Sequence, residues 1–290
     1  MIMKSVLLCV FSGTGNTGIV TEMLRDHLVR RGCSVDIVLI EDVLKGKRTV
    51  EPGRYDLVGI GCQVIGFAAP SLVTRFIRGL PRGRGKKAFV FRTAGGVAPI
   101  NYNASNPMIR SLRRRGYEVF HERLFSISSN WIFRFDDDVI VRLHESARRK
   151  TGLMADALIR GENRLLKTGI RQRILMEAVA ALTPPFFRLG GKDFRVDDGC
   201  THCGLCVRNC PAGNSGERIS KIRFRLSCNS CLRCLYACPS HSIRLRRFAF
   251  FAVEGGYDIR KILAAASSSP REKPRPEPEF LERYLSDDSL

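Results

Sequence analysis

The chain has 290 residues, with 48 Lys and Arg against 28 Asp and Glu and a formal net charge of +20. A hydrophobic fraction of 44% and a charged fraction of 26% exclude a disordered chain and allow a core large enough for two domains. The positive field favours acidic partners, although an Arg-rich surface spread over solvated faces has the same composition. No uninterrupted apolar run of about 18 residues is present, so no membrane span is expected. The first apolar run, "SVLLCVF", is short and ends without a small-residue cleavage site, which argues against a secretory leader and for a cytoplasmic protein.

In chain order, residues 5–11 read as a continuous apolar strand. Residues 15–31 carry Ile19, Val20, Met23, Leu24 and Leu28 at helical spacing. Residues 33–40 and 55–62 are strands with a short helix between them, 71–80 a helix, 87–96 a strand ending in glycines, 106–116 a helix closed by Gly116, and 117–127 a strand. This alternation predicts an α/β fold, a doubly wound parallel five-stranded sheet over residues 1–135. Ligands in such sheets sit at the carboxyl ends of strands, which directs attention to residues 11–17, 62–70 and 92–103.

Residues 136–192 read as a helical connector in two pieces. The first, 137–150, has an acidic start and a basic end that suit the helix dipole. The second, 169–182, places Ile170, Ile174, Leu175, Ala178 and Leu182 on one face. Core or interdomain packing is the expected role of that face; peripheral contact with a membrane is the alternative. Residues 193–250 form a cysteine-rich module. Residues 251–290 form an extension whose Pro- and charge-rich stretch after 266 is expected to be disordered, and "FLERYLSDDSL" is either a short docking helix or a frayed end. Trp131 reads as a packed hinge aromatic, with a place at the junction of the two modules as the alternative.

Of 11 cysteines, eight lie between Cys200 and Cys238. That clustering is not a disulfide framework and points to metal ligation in a reducing compartment. "CTHCGLCVRNCP" from Cys200 and "CNSCLRCLYACP" from Cys228 share the form C-x2-C-x2-C-x3-C-P, 28 residues apart. This spacing is that of bacterial-type ferredoxins, which it resembles closely. The resemblance implies two [4Fe-4S] clusters in a small α+β module, one on Cys200, Cys203, Cys206 and Cys238, the other on Cys228, Cys231, Cys234 and Cys210. C-x2-C pairs also bind zinc, but two identical runs each ending in Pro favour clusters. Short strands are expected in "DFRVDD", "IRFRL" and "SIRLRRF". Cys9, Cys33 and Cys62 read as buried small hydrophobes.

After the first strand comes Ser12-Gly13-Thr14-Gly15-Asn16-Thr17. Small residues let backbone N–H groups converge on an anion ahead of a helix N-terminus, and the hydroxyls and the Asn16 amide can add donors. No lysine stands in the loop, so it is neither a P-loop nor a dinucleotide fingerprint. "SGTGNT" in this setting resembles the FMN phosphate loop of flavodoxins, over about residues 4–130. The resemblance implies FMN, with Ile65, Gly66 and Phe67 on one side of the isoalloxazine and Thr93, Ala94, Gly95 and Gly96 at its N5 and pyrimidine edge. Aromatics in these loops are limited to Phe67 and Tyr102, and acids are nearly absent.

The whole chain resembles a flavodoxin–ferredoxin fusion of the EFR type. That implies electron transfer between FMN, two clusters and external redox proteins. Between Cys200 and Arg247 nine Arg and Lys face one Glu, about +4 once two clusters of −2 are counted, so acidic redox partners are expected. A flavin-dependent reductase of a small acceptor is the alternative. Nucleic-acid binding is not expected, since only charge supports it. No nicotinamide-binding unit is recognised.

Overall fold

The computed structural model describes residues 4–96, 99–167, 169–218, 221–268 and 279–287. Its first part runs β1 (Ser5–Phe11), α1 (Asn16–Arg30), β2 (Ser34–Leu39), α2 (Ile40–Leu44), β3 (Leu57–Gln63), α3 (Ser71–Gly79), β4 (Lys87–Ala94), α4 (Asn106–Arg114) and β5 (Glu118–Ser126). The five strands are all parallel, in the order β2-β1-β3-β4-β5. That order is the flavodoxin-like doubly wound one, with its crevice where the connections from β1 and β3 diverge.

Strand periodicity divides the core into two layers. In β1, Val6, Leu8 and Val10 point to the α1 side, and Leu7, Cys9 and Phe11 to the side of α3 and α4. The three isolated cysteines are buried as expected, and burial pushes the Cys9 and Cys62 thiols up to about 12.

α5 (Asp137–Arg160) corrects the reading of residues 136–192 as a connector. Its Ile140, Ala147, Met154, Ala155 and Leu158 belong to the core under α1, so it is the last helix of the α/β domain. The basic stretch before residue 150 looks like a C-terminus, but the helix continues through Gly152, where a Cβ would come within 3.2 Å of the His27 ring on α1. The close approach of two helices is a tertiary demand and leaves no mark in local propensity.

α6 (Ile170–Gly190) runs through Pro184 and Pro185. It buries Met176 and Phe187, while Ile170, Ile174, Leu175 and Leu182 are 63–72% exposed. The expected packing of that apolar face is therefore overturned: the opposite face packs. Thr183 Oγ1 lies 2.9 Å from Gly66 O and 3.0 Å from Val179 O, which pins the helix to the loop after β3.

The second module contains β6 (Phe194–Val196), α7 (Leu205–Arg208), β7 (Ser215–Arg218), β8 (Lys221–Phe224), α8 (Arg233–Tyr236) and β9 (Ile243–Leu245). β6 pairs with β9 and β7 with β8, both antiparallel. The three expected strands are present; β7 adds a fourth.

The extension returns to the α/β domain. Tyr257, with Ile259 and Ile262 of α9 (Ile259–Ser268), joins the α1 core. α10 (Glu279–Ser286) buries Leu281 and Tyr284, so the C-terminal segment is a docking helix. The fully buried Lys150 donates to Tyr284 O at 2.8 Å, and its Nζ lies 3.9 Å from the Tyr284 ring centroid. The Pro-rich stretch 269–278, expected to be disordered, lies outside the described residues.

Candidate functional site

The cysteine repeat is a repeat of backbone geometry. His202 and Ser230, Gly204 and Leu232, and Gly213 and His241 all take left-handed φ, each pair 28 residues apart. Four of the six are not glycine, and each such residue costs on the order of 1 kcal/mol or more. Strain held at equivalent positions in both halves marks a cradle built twice.

A cavity is lined by Cys200, Cys203, Cys206 and Cys238, closed by Val196, Ile222 and Ile243. The three-cysteine run thus meets the last cysteine of the other motif. In the second set Cys231 and Cys210 lie near enough to act on Cys228, Cys210 on Cys231, and Cys231, Cys228 and Cys210 on Cys234, which Cys206 of the first set also reaches. Backbone N–H groups donate to two of these sulfurs, Asn214 N to Cys210 Sγ at 3.1 Å and Ser230 N to Cys228 Sγ at 3.2 Å. Burial, reinforced by neighbouring sulfurs, pushes the Cys228 thiol up to about 12 and raises Cys234, while burial alone leads the rise at Cys231. Thiolates there need compensating positive charge, so binding iron would release protons. Among the described residues no three His, Cys, Asp or Glu side chains close on a point as a lone ion requires; a cubane is larger, and each sulfur reaches its own iron.

The β1–α1 loop is a nest of backbone donors. Gly15 has φ of 104°, a conformation that favours glycine, and ends the loop at the start of α1. Gly18 N donates to Ser12 Oγ and Ile19 N to Gly15 O. Among the described residues, the N–H groups of Thr14, Gly15, Asn16 and Thr17 have no protein acceptor in the hydrogen-bond network. Unpaired N–H groups at a helix start fit a phosphate.

The side chains differ from the expectation. The Asn16 amide is engaged at both ends, donating to Ser128 O at 3.0 Å and accepting from Tyr257 OH at 2.6 Å. Thr17 and Thr93 pair through their hydroxyls at 2.8 Å, and Asn130 Nδ2 donates to Thr14 Oγ1. Asn16 and Thr17 therefore shape the loop, and the donors left open in it are chiefly backbone N–H groups.

Around the neighbouring loops, Gly66 and Phe67 form a tight turn, both at positive φ, between the bridged Ile65 and Ala68. Ile65 is buried and Phe67 is exposed. Thr93 and Ala94 are buried at the end of β4, while Gly95 and Gly96 are half-buried, with Ser126 Oγ donating to Gly95 O and Asn101 Nδ2 to Gly96 O. The three loops meet at one end of the sheet. A flavin would rest there between the 65–67 turn and residues 93–96, with Ser12–Thr17 on its phosphate.

The cysteine module docks on this end. At Gly13 a Cβ would lie 2.8 Å from Cys231 O and 3.0 Å from Cys231 Cβ. Arg233 forks across the junction, from Nε to Gly13 O at 3.1 Å and from Nη2 to Ser12 O and Glu41 Oε1 at 2.6 Å each. Tyr236 OH donates to Asn130 O at 2.8 Å and accepts from Val253 N. Trp131 is at the junction itself, 5.0 Å from the Phe187 ring and 4.7 Å from Phe251. Sequence reasoning missed Gln63, whose Oε1 accepts from Gly13 N at 3.2 Å, and Ser128, Asn130, Arg233 and Tyr257. The run "SISSNW" follows β5, so the strand-end rule applied to the last strand would have found Ser128 and Asn130. Nothing local marks Arg233 or Tyr257.

Residues 192–239 match the family model described as a 4Fe-4S dicluster domain. No curated protein matches the sequence. Among solved structures the chain is similar to a flavodoxin from the Archaea, at 11% identity over 53% of this chain and 99% of that one, TM-score 0.34. It is also similar to two-electron reduced Megasphaera elsdenii flavodoxin, at 21% identity over 50% and 98%, TM-score 0.35. Oxidised flavodoxin 2 from Bacillus cereus gives 16% identity over 54% and 98%, TM-score 0.37. The β2-β1-β3-β4-β5 order by itself carries the fold assignment. The chain joins a flavodoxin-like α/β domain to an iron–sulfur module similar to 4Fe-4S dicluster domains in one polypeptide.

Proposed function

We propose that this protein transfers electrons between an FMN held by residues 12–17, 65–67 and 93–96 and two [4Fe-4S] clusters on the eight cysteines paired as above. The observation that carries the reading is the contact of the Cys231 loop with Gly13. FMN exchanges two electrons and each cluster one, so the set converts between pair and single transfers. The cluster on Cys228, Cys231, Cys234 and Cys210 is the one next to the flavin. The cluster on Cys200, Cys203, Cys206 and Cys238 faces outward, since Cys203 is exposed. With Arg208 exposed nearby, that end suits an acidic redox protein, whose association rate should fall with salt.

Anaerobically purified protein should contain about eight irons and one FMN per chain. After rapid reduction of the clusters, the flavin should be reduced at a rate independent of protein concentration. Protein-bound zinc, absence of flavin, or a rate proportional to concentration would each sink the reading.

Gly13→Ala is the sharper probe. The added methyl would meet the Gln63 amide at 2.6 Å and the Cys231 carbonyl at 2.8 Å, so the Gln63 side chain must turn and the module must shift, at a cost of about 1–3 kcal/mol for overpacking. Iron content should stay as in the parent, and internal transfer, measured in the FMN-loaded fraction, should slow. An unchanged rate would mean that electrons do not cross at Gly13.

A further inference from the structure

The outward face of α6 is apolar from Ile174 to Leu189. Ile174, Leu175, Leu182 and Leu189 are each 63–72% exposed, with Phe186 at 43%. At 100° per residue these side chains share one side of the helix with Ala178, Ala181 and Pro185, and no charge interrupts them between Arg171 and Arg188. The only acid in the helix, Glu177, is turned aside and paired with Arg110 at 2.7 Å and Arg173 at 3.1 Å. The patch continues past the helix, since the Phe186 ring lies 5.7 Å from Phe248, which lies 6.1 Å from the 60% exposed Phe250. Exposed Arg246 and Arg247 flank this end. A contiguous apolar patch of this extent marks an interaction surface.

We propose that this face docks the protein on an anionic membrane surface, with α6 lying in the plane of the interface. From Ile174 to Leu189 the stripe is about 22 Å long. Among the described residues no helix is long and apolar enough to cross a membrane, so the geometry is that of a helix lying on the surface. Thr183 and Phe187 fix the opposite side of α6 to Gly66, which holds the apolar side outward. Charge selects the occupant. A second copy would bring another +20 chain and another set of rim arginines against the first. An anionic interface offers hydrocarbon to the stripe and phosphates to Arg171, Arg188, Arg246 and Arg247. The loop at Gly66 would then lie about one helix diameter, ~10 Å, from the interface. The inference does not depend on FMN filling the loop at residues 12–17.

The test uses the full-length holoprotein and flotation with phosphatidylcholine vesicles, with and without phosphatidylglycerol. Binding is expected only with phosphatidylglycerol and should weaken as salt rises. Leu182→Gln with Leu189→Gln should weaken it at least tenfold, because both side chains would enter the acyl boundary. Both are exposed, so visible absorbance and elution volume should stay as in the parent. Arg171→Gln and Arg188→Gln should each cost about fivefold. No binding to the anionic vesicles overturns the proposal, as does binding that the leucine pair leaves unchanged. A lipid-free dimer dispersed by the leucine pair would assign the face to a second copy and also overturn it.

Discussion

Removing the iron from the holoprotein anaerobically should unfold residues 194–247 and leave the α/β domain folded. Among the described residues, the buried core of the cysteine module is Phe194, Phe224, Leu232 and Ile243. Its strands have only three or four residues, in two-stranded sheets, and such pairs are not stable alone. The left-handed conformations at His202, Ser230, Leu232 and His241 add strain that so small a core does little to offset. Iron binding is therefore folding energy for this module. The α/β domain has two large cores of its own and should keep its structure. Limited trypsin digestion reads this directly: cleavage at exposed Arg223 and Arg225 should rise by orders of magnitude on chelation, while peptides from residues 5–126 stay protected. Equal protection with and without iron would refute a cluster-dependent fold. Loss of the module also removes Arg233 from Ser12 and Gly13, so the domains should separate at that contact.

Arg92→Met should destabilise the α/β domain by about 3–5 kcal/mol, the cost of leaving a buried charge without its partner. Arg92 on β4 is fully buried and pairs with Glu122 on β5 at 3.0 Å. Burial lowers the Arg92 pKa, and the Glu122 charge opposes that shift. Glu122 also accepts from Ser105 Oγ at 2.5 Å and from Leu166 N at 2.8 Å, and Arg92 Nη1 donates to Asn101 O at 2.6 Å. The pair thus ties β4, β5 and the loop beside Gly96 together. Glu122→Gln keeps the shape but strands the arginine charge, and should be similarly costly. Arg92→Met combined with Glu122→Leu should recover much of the loss, because buried ion pairs repay desolvation poorly. Urea unfolding of the α/β domain measures all three variants. Additive losses in the double variant would show that the two charges do not act as a pair.

The flavodoxin-like sheet was legible because parallel strands buried on both faces read as apolar runs, and helices such as α1 show their period. The two cysteine motifs were legible because a cubane ties ligand identity to short, fixed spacing. The glycine-rich strand–helix turn at residues 12–17 was legible as a turn, since its small residues permit one, but the contacts inside it were not. Asn16 looked like an anion donor, and the structure occupies its amide with Ser128 and Tyr257, which lie 112 and 241 residues away in sequence. α6 shows the same limit. Its apolar face was plain from spacing, yet the face that packs is the one with Met176 and Phe187.

By itself the sequence determined the chemical inventory: eight cysteines in two runs, a lysine-free glycine-rich loop, and the alternation that builds one parallel sheet. The tertiary structure alone decided the relations between these parts. It set the second cysteine run, rather than the first, against the anion loop, through Cys231 at Gly13 and the fork of Arg233. It turned the apolar side of α6 to the outside. Periodicity and spacing act over one or two turns of chain, whereas these relations depend on shape and charge matching between segments more than 100 residues apart.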